Sequence, residues 1–376
     1  MRQINIGIIG WGFMGRTHAH SIRSLGLFYP GAEFSAKITG VCSRRLEKAE
    51  EAARELGAEF FTDDYRKLLA REDIDAVSIC TPNAQHEEMA LAAIAAGKHV
   101  YMDKPLSVSA ESALRISKAA QNSGVITHMA FNNRYLPSIM RAKQLVDEGR
   151  IGNILTFCGR YLHSGSIDPQ KPIGWKQQLQ GGVLLDLGSH ALDLITWLCG
   201  YPREIFCAEN TLYARRPKKD GGAEENLSED HAVMNLRMKN GALGIVEASK
   251  ISSGANDELT IEVRGDRGAL IWDLMQPNYV QFFDNTLPEA PLGGDRGFTH
   301  IESVARYPAP GGSFLPPKNT IGWDRGHMHC YYTFLDCVSR GVKSENPIEN
   351  GARLQLLMAR AAQSAAEGRW VDTSDI

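Results

Sequence analysis

Apolar positions along the chain fall into two regimes. Up to about residue 131, short β-branched and aliphatic runs (4–9, 34–42, 76–80, 98–102 and 125–131) alternate with segments of helical periodicity. The latter include RTHAHSIRSL, LEKAEEAAREL, a short piece at 64–70, EEMALAAIAAG and residues 106–123. Strand then helix, repeated, predicts right-handed βαβ units and a parallel, doubly wound Rossmann sheet over residues 1–131. Beyond residue 151 the pattern changes. Strand-like runs at 153–161, 204–214, 230–238, 242–250, 258–264 and 268–274 follow one another with only turns between several of them, so they are expected to pair antiparallel. Residues 132–376 therefore read as an α+β domain with a large, mostly antiparallel, open-faced sheet. A Pro- and Gly-rich irregular stretch, 285–326, and two closing helices, 327–340 and 349–367, complete it.

One helix interrupts the strands. In GGVLLDLGSHALDLITWLCGYP, residues 181–202, Val183, Leu184, Leu187, Ala191, Leu194, Ile195 and Leu198 recur at helical spacing, and Gly200 and Pro202 end the run. Asp186, His190 and Asp193 stand at i, i+4 and i+7, on one stripe of this otherwise apolar helix. Burying such groups costs free energy unless they are paired or used. Taken alone, they read as a satisfied structural pair.

Composition narrows the class. The chain has 376 residues, enough for two domains, and 43% hydrophobic with 23% charged residues is ordinary for a globular protein. A net charge of −3 gives no argument for nucleic acid or for an anionic membrane surface. Seven scattered cysteines without a CxxC argue for a reducing compartment and against a disulfide frame. Neither a leader peptide nor a membrane-spanning run is recognisable, so a cytoplasmic protein is expected.

In open parallel sheets, ligands bind beyond the carboxyl ends of the strands. Those ends name the candidates. The first carries Gly10-Trp11-Gly12-Phe13-Met14-Gly15 between a strand and a helix, where glycines permit a tight turn, approach of a pyrophosphate, and close helix packing. The second ends in Ser43-Arg44-Arg45, with no acid for a ribose hydroxyl; arginines suit a 2′-phosphate, which favours NADP over NAD. The later ends carry Thr81-Pro82-Asn83 with His86 after them, Asp103-Lys104-Pro105, and Asn132-Asn133-Arg134-Tyr135. The proline after Lys104 biases that lysine toward an extended conformation. A metal at Asp186 and His190 is disfavoured, since two ligands do not fill a zinc site.

These motifs together resemble the Gfo/Idh/MocA oxidoreductases, the glucose–fructose oxidoreductase and inositol dehydrogenase family. The resemblance spans nearly the whole chain and rests on the N-terminal glycine motif, CTPNAQHEEMALAAIAAGKHVYMDKPLS, NNRYLP, GGVLLDLGSHALDLITWLCG and GARLQLLMARAAQSAAEGRWV. The family's Glu-Lys-Pro appears as Asp103-Lys104-Pro105, which shortens the acid and keeps the lysine. The resemblance implies Lys104, Asp186 and His190 as catalytic residues. It implies cofactor contacts from Gly10, Gly12, Phe13, Met14, Gly15, Ser43, Arg44, Arg45, Thr81, Pro82, Asn83, His86, Asp103, Lys104 and Asn132. GRYLHSGSIDPQKPIGWK is similar to the branch with levoglucosan and inositol dehydrogenases, whose loop before the helix helps form the sugar pocket. That adds His163, Asp168, Trp175 and Lys176, beside Asn133, Arg134 and Tyr135, as substrate residues. A homodimer or homotetramer is the family's expectation.

The chemistry expected is oxidation of a secondary alcohol on a sugar, cyclitol or glycoside. A free imidazole titrates near pH 6.5, so His190 suits the proton. Lys104 can stabilise the developing alkoxide, and Asp186 can orient the group or bond a neighbouring hydroxyl. NAD(P) takes the hydride. Two alternatives stay open on sequence: glycoside cleavage through transient oxidation and elimination, and a non-catalytic sugar- or dinucleotide-sensing regulator.

Overall fold

The structure is a computed structural model and describes residues 2–174 and 181–376. The chain divides into two compact units, Met1–Tyr135 with Ala305–Gln355, and Leu136–Val304 with Leu356–Ile376.

The first unit runs β1 (Arg2–Ile9), α1 (Phe13–Phe28), β2 (Phe34–Cys42), α2 (Leu46–Leu56), β3 (Phe60–Thr62), α3 (Tyr65–Leu69), β4 (Ala76–Ile79), α4 (His86–Ala95), β5 (His99–Met102), α5 (Ala110–Gln121) and β6 (Thr127–Met129). The strands form one six-stranded sheet in the order β3-β2-β1-β4-β5-β6, every pair parallel. β1 sits inside it, between β2 and β4, and its Ile4, Ile6, Ile8 and Ile9 are all buried. Helix ends follow local chemistry. Asp64 accepts the Arg66 N–H at the start of α3, Ser109 accepts the Ser112 N–H at the start of α5, and Gly57 ends α2 in the left-handed region. The carboxyl ends lie level with one another. Gly10 N donates to Cys42 O, Cys80 N to Ile9 O, Asp103 N to Ile79 O and Ala130 N to Met102 O, at 2.8–3.0 Å.

The second unit opens with α6 (Pro137–Asp147) and β7 (Ile154–Leu162). A π-helical turn, Leu184–Gly188, then leads into α7 (Ser189–Cys199). The strands β8 (Glu204–Asn210), β9 (Arg215–Pro217), β10 (Ala223–Glu225), β11 (His231–Arg237), β12 (Leu243–Ser249), β13 (Glu258–Gly265), β14 (Gly268–Asp273), β15 (Tyr279–Asp284) and β16 (Phe298–Glu302) follow. After them in the chain come α8 (Trp323–Arg340), which belongs to the first unit, α9 (Ile348–Glu367), which runs from the first unit into the second, and β17 (Val371–Asp372) of the second. Among the described residues the large sheet has nine strands in the order β16-β15-β14-β13-β7-β12-β11-β8-β17, and β7 with β12 is its one parallel pair. Alternation along β11 buries Ala232, Met234 and Leu236 and turns Val233, Asn235 and Arg237 to the other face. Helix α7 packs on β7, β12 and β13. It lies close at Gly159, where a Cβ would stand 2.9 Å from Ile195.

Two expectations are corrected here, and one long-range addition is found: α8 packs into the first unit, where Cys330, Tyr331, Phe334, Leu335 and Val338 join the core of Ile4, Ile6, Ile8 and Tyr101. The irregular 285–326 stretch contains an edge strand, β16, whose mostly exposed Phe-Thr-His-Ile-Glu lacks an apolar alternation to reveal it. The helix at 181–202 is not α-helical throughout, since the π turn widens it at Asp186. No helix among the described residues is long and apolar enough to cross a membrane.

Candidate active site

In the first unit, the loop after β1 is shaped by two contacts that exclude side chains. Gly10 has φ +104° and its Cβ would meet Cys80 O at 2.6 Å; a Cβ on Gly15 would meet Gly10 O at 2.1 Å. Gly12 is different. A Cβ there meets nothing within 4 Å, so the demand for bareness does not come from the protein. Gly12 caps α1, no side chain closes that helix end, and its first turn holds no acid. Backbone N–H groups at such an end, with the helix dipole, suit a phosphate. The residues present thus fit a dinucleotide.

Around this loop the other strand ends are fixed by polar contacts. Ser43 N donates to Thr62 O at 3.1 Å, while Arg44 and Arg45 are exposed at the start of α2. Asp63 and Asp64 follow β3 and lie close to Cys42, whose thiol is pushed up to about 12 by burial and then by these two charges. His86 is buried and bridges two strand ends, its Nδ1 2.9 Å from Pro105 O and its Nε2 2.9 Å from Thr81 O. Burial holds this imidazole below its usual range, against Asp103 and the carbonyls, which favour the proton. Asp103 Oδ1 accepts the Lys104 N–H at 2.9 Å, and the Lys104–Pro105 peptide is cis. Asn132 Nδ2 donates to Asn133 Oδ1 at 3.2 Å in a buried 3-10 turn.

In the second unit the helix bearing Asp186 and His190 starts from a glycine turn. Gly182 has φ +78°, and a Cβ there would lie 2.3 Å from the Glu229 carboxylate. That carboxylate accepts the Leu184 N–H at 2.7 Å. His190 is 8% exposed and Asp193 1%. The Tyr161 ring meets the His190 ring edge-on, centroids 5.6 Å apart. Tyr161 Oη donates to Asp257 Oδ1 at 2.6 Å, and His163 Nε2 lies 2.9 Å from the same oxygen. Burial, then Asp257, then Asp186 push the Tyr161 phenol well above its ordinary range, so it stays a neutral donor. Lys250 Nζ is 3.3 Å from Asp186 Oδ2. Arg216, buried against Asp230 at 3.8 Å, donates to Ser166 O at 2.7 Å and Asp168 O at 2.9 Å, which pins the loop after β7.

Known proteins agree with this division. Residues 4–131 match the family described as "Oxidoreductase family, NAD-binding Rossmann fold", and residues 139–271 match the "GFO/IDH/MocA C-terminal domain". The chain belongs to the GFO/IDH/MocA oxidoreductase family. It is 30% identical to levoglucosan dehydrogenase of Pseudarthrobacter phenanthrenivorans, with 100% of both chains covered. It is 28% identical to myo-inositol 2-dehydrogenase of Thermotoga maritima, covering 79% of this chain and 81% of the relative. Among solved structures, levoglucosan dehydrogenase in complex with NADH and L-sorbose has a TM-score of 0.95 at 29% identity, covering 100% of each chain. The Rossmann unit and the mostly antiparallel second sheet are thus the family's fold.

Within this GFO/IDH/MocA frame, the strand-end residues expected to meet a cofactor share one edge of the Rossmann sheet, apart from His86, which turns inward as the bracket described above. Asn133 and Arg134 are buried in the turn after β6. Tyr135 is buried, with its hydroxyl 3.1 Å from His128 Nε2 in the core. Asp168 is exposed and closes its own turn on Gln170 N at 2.8 Å, the role of a turn former. Trp175 and Lys176 lie outside the described residues. The sequence reading missed Tyr161, Asp257, Lys250, Glu229 and Arg216. Lys250 had a usable signal, a lysine directly after the alternating run of β12. Asp257 had none, because only the pairing of Glu258 with Leu162 brings it to Tyr161 and His163.

Proposed function

We propose that this chain is a nicotinamide-dependent dehydrogenase of a sugar, cyclitol or glycoside hydroxyl, with His190 as the group that takes the hydroxyl proton. The observation that carries this reading is the setting of His190: buried against the Tyr161 ring, one turn after an acid held by an ammonium. A buried imidazole near a carboxylate can exchange a proton close to neutral pH. Lys104 holds the substrate oxygen and offsets charge developing on it. Asp186, an acceptor while ionised, bonds a neighbouring hydroxyl and so orients the ring. When bound, the nicotinamide supplies the hydride acceptor.

The glycine turn, the uncapped α1 terminus and relatives solved with NADH support NAD(P) as that cofactor. At its 2′ position two sets of charges compete: Arg44 and Arg45 favour a phosphate, and Asp63 and Asp64 oppose it. We propose that the arginines prevail and NADP is preferred. Seven free cysteines, several of them buried, suit the reducing interior of a cell. The uncovered sheet face, with Leu243 50% and Ile245 46% exposed, is read as the surface that pairs with a second copy.

The test is cofactor reduction over inositols, pyranoses, anhydrosugars and glycosides with NAD and NADP, for wild type and His190→Ala. A turnover at least 10²-fold lower in the variant, with cofactor still bound, is expected from loss of a general base. Normal turnover by His190→Ala would overturn the role. Release of aglycone without net reduced cofactor would place the chain among enzymes that oxidise transiently and eliminate.

A further inference from the structure

Lys250 directly follows β12, and its side chain is only 10% exposed. The ammonium lies 3.3 Å from Asp186 Oδ2 and donates to Gly182 O at 3.2 Å. Glu229, which accepts the Leu184 N–H, is a second carboxylate that feels this cation; Lys250 acts against the rise that burial imposes on Glu229. Thus one buried ammonium ties the end of β12 to the glycine turn and to the acid in the π turn, and its field also reaches the acid closing the helix start. An ammonium in such a setting is a strongly hydrated point charge whose removal from water must be offset by these partners.

We infer that Lys250 is a positioning residue whose ammonium holds the Asp186 carboxylate in place, one turn before His190. The inference rests on the reading of His190 as the proton acceptor and names a further group that acts on it. The groups facing this stretch are mostly acidic or neutral. Asp193 lies on the same helix. From β7 come the Tyr161 phenol and, next to it, His163. The turn before β13 brings Asp257, and the turn before β11 brings Glu229 with Asp230, the latter paired with Arg216. Lys250 offsets the excess of negative charge. Without it, the acids act uncompensated on the imidazole. His190 then holds its proton to higher pH and is a base over a narrower range.

Two substitutions separate charge from shape. Lys250→Gln keeps an amide donor for Gly182 O and removes the charge; Lys250→Arg keeps the charge. The pH profile of kcat/KM for alcohol oxidation has an acid limb that reports the free enzyme's base. The limb is expected to move up by about one pH unit in Lys250→Gln, as for loss of a neighbouring opposite charge beside a carboxylate, and to stay in Lys250→Arg. The second readout needs no turnover. The His190 ring, assigned in ¹³C-histidine-labelled, cofactor-free enzyme by its absence in His190→Gln, should titrate higher in Lys250→Gln by a similar amount. If wild type oxidises no alcohol, the functional reading fails while the ring titration still judges Lys250. An unmoved His190 titration in a folded Lys250→Gln overturns the inference. So does lost activity with an unmoved limb, which would mark Lys250 as merely structural.

Discussion

Gly12 and Gly15 stand three residues apart in the same loop-to-helix junction, yet the structure assigns their bareness to different causes, and alanine at each position tests that. At Gly15 the added Cβ would stand 2.1 Å from Gly10 O, a backbone atom. An ordinary contact needs more than 3 Å, so the turn must shift by about 1 Å, at a cost of about 1–3 kcal/mol by analogy with overpacked cores. For a domain of 150–250 residues each kcal/mol moves Tm by about 2–4 °C, so Gly15→Ala should lower it by about 2–12 °C. At Gly12 the Cβ meets nothing, and φ −99°, ψ −156° suits any residue. The one cost is a poorer helix cap, about 0.5–1 kcal/mol, or about 1–4 °C. The proposed dinucleotide changes the picture, because on that reading the Cβ takes space its phosphate needs. Losing one charge-assisted hydrogen bond, worth about 1.5–3 kcal/mol, weakens binding by about 10–100-fold. The assays are thermal unfolding without cofactor and NADH titration by nicotinamide fluorescence. Unchanged NADH affinity in Gly12→Ala would refute the phosphate assignment, and an unchanged Tm in Gly15→Ala would refute the clash.

Four further outcomes follow. His18 and His128 are buried imidazoles held down to about 4 and about 3 by desolvation. Each takes up its proton in the unfolded chain near pH 6.5 but not in the folded one, so each contributes stability above that pH. The contribution falls as pH drops toward the folded value, by at most about 3 kcal/mol for His18 and about 5 kcal/mol for His128. Unfolding midpoints between pH 7 and 4 should therefore drop less steeply in His128→Asn than in wild type, and parallel curves would exclude it. Asp257→Ala strands the buried Tyr161 hydroxyl, at about 1–3 kcal/mol; a cycle with Tyr161→Phe should show coupling of at least about 0.5 kcal/mol, and simple additivity would argue against the contact. Arg44→Ala should erase a preference for NADP over NAD, while unchanged Michaelis constants for both would sink the 2′-phosphate role. Ile245→Asp on the uncovered sheet face should halve the particle mass in light scattering, unless that face does not pair copies.

Much of this protein was legible one element at a time. Apolar runs near residues 4–9, 34–42 and 76–80 became β1, β2 and β4, because buried parallel strands need continuous apolar residues on both faces. The GxGxxG loop, the Asp103-Lys104-Pro105 strand end and the polar stripe on α7 were visible because each depends on local spacing. Family membership followed from those same segments. What the chain alone left open depends on partners distant in sequence. The Tyr135 hydroxyl meets His128, and both meet α8, only in the folded core. Asp257 and Tyr161 are 96 residues apart and meet only through sheet register. Lys250 acquires a role because β12 ends beside a π turn whose widened geometry no periodicity announced. Local periodicity fixes which residues face inward; only tertiary pairing decides which buried charge answers which, because a buried charge takes its meaning from its partner.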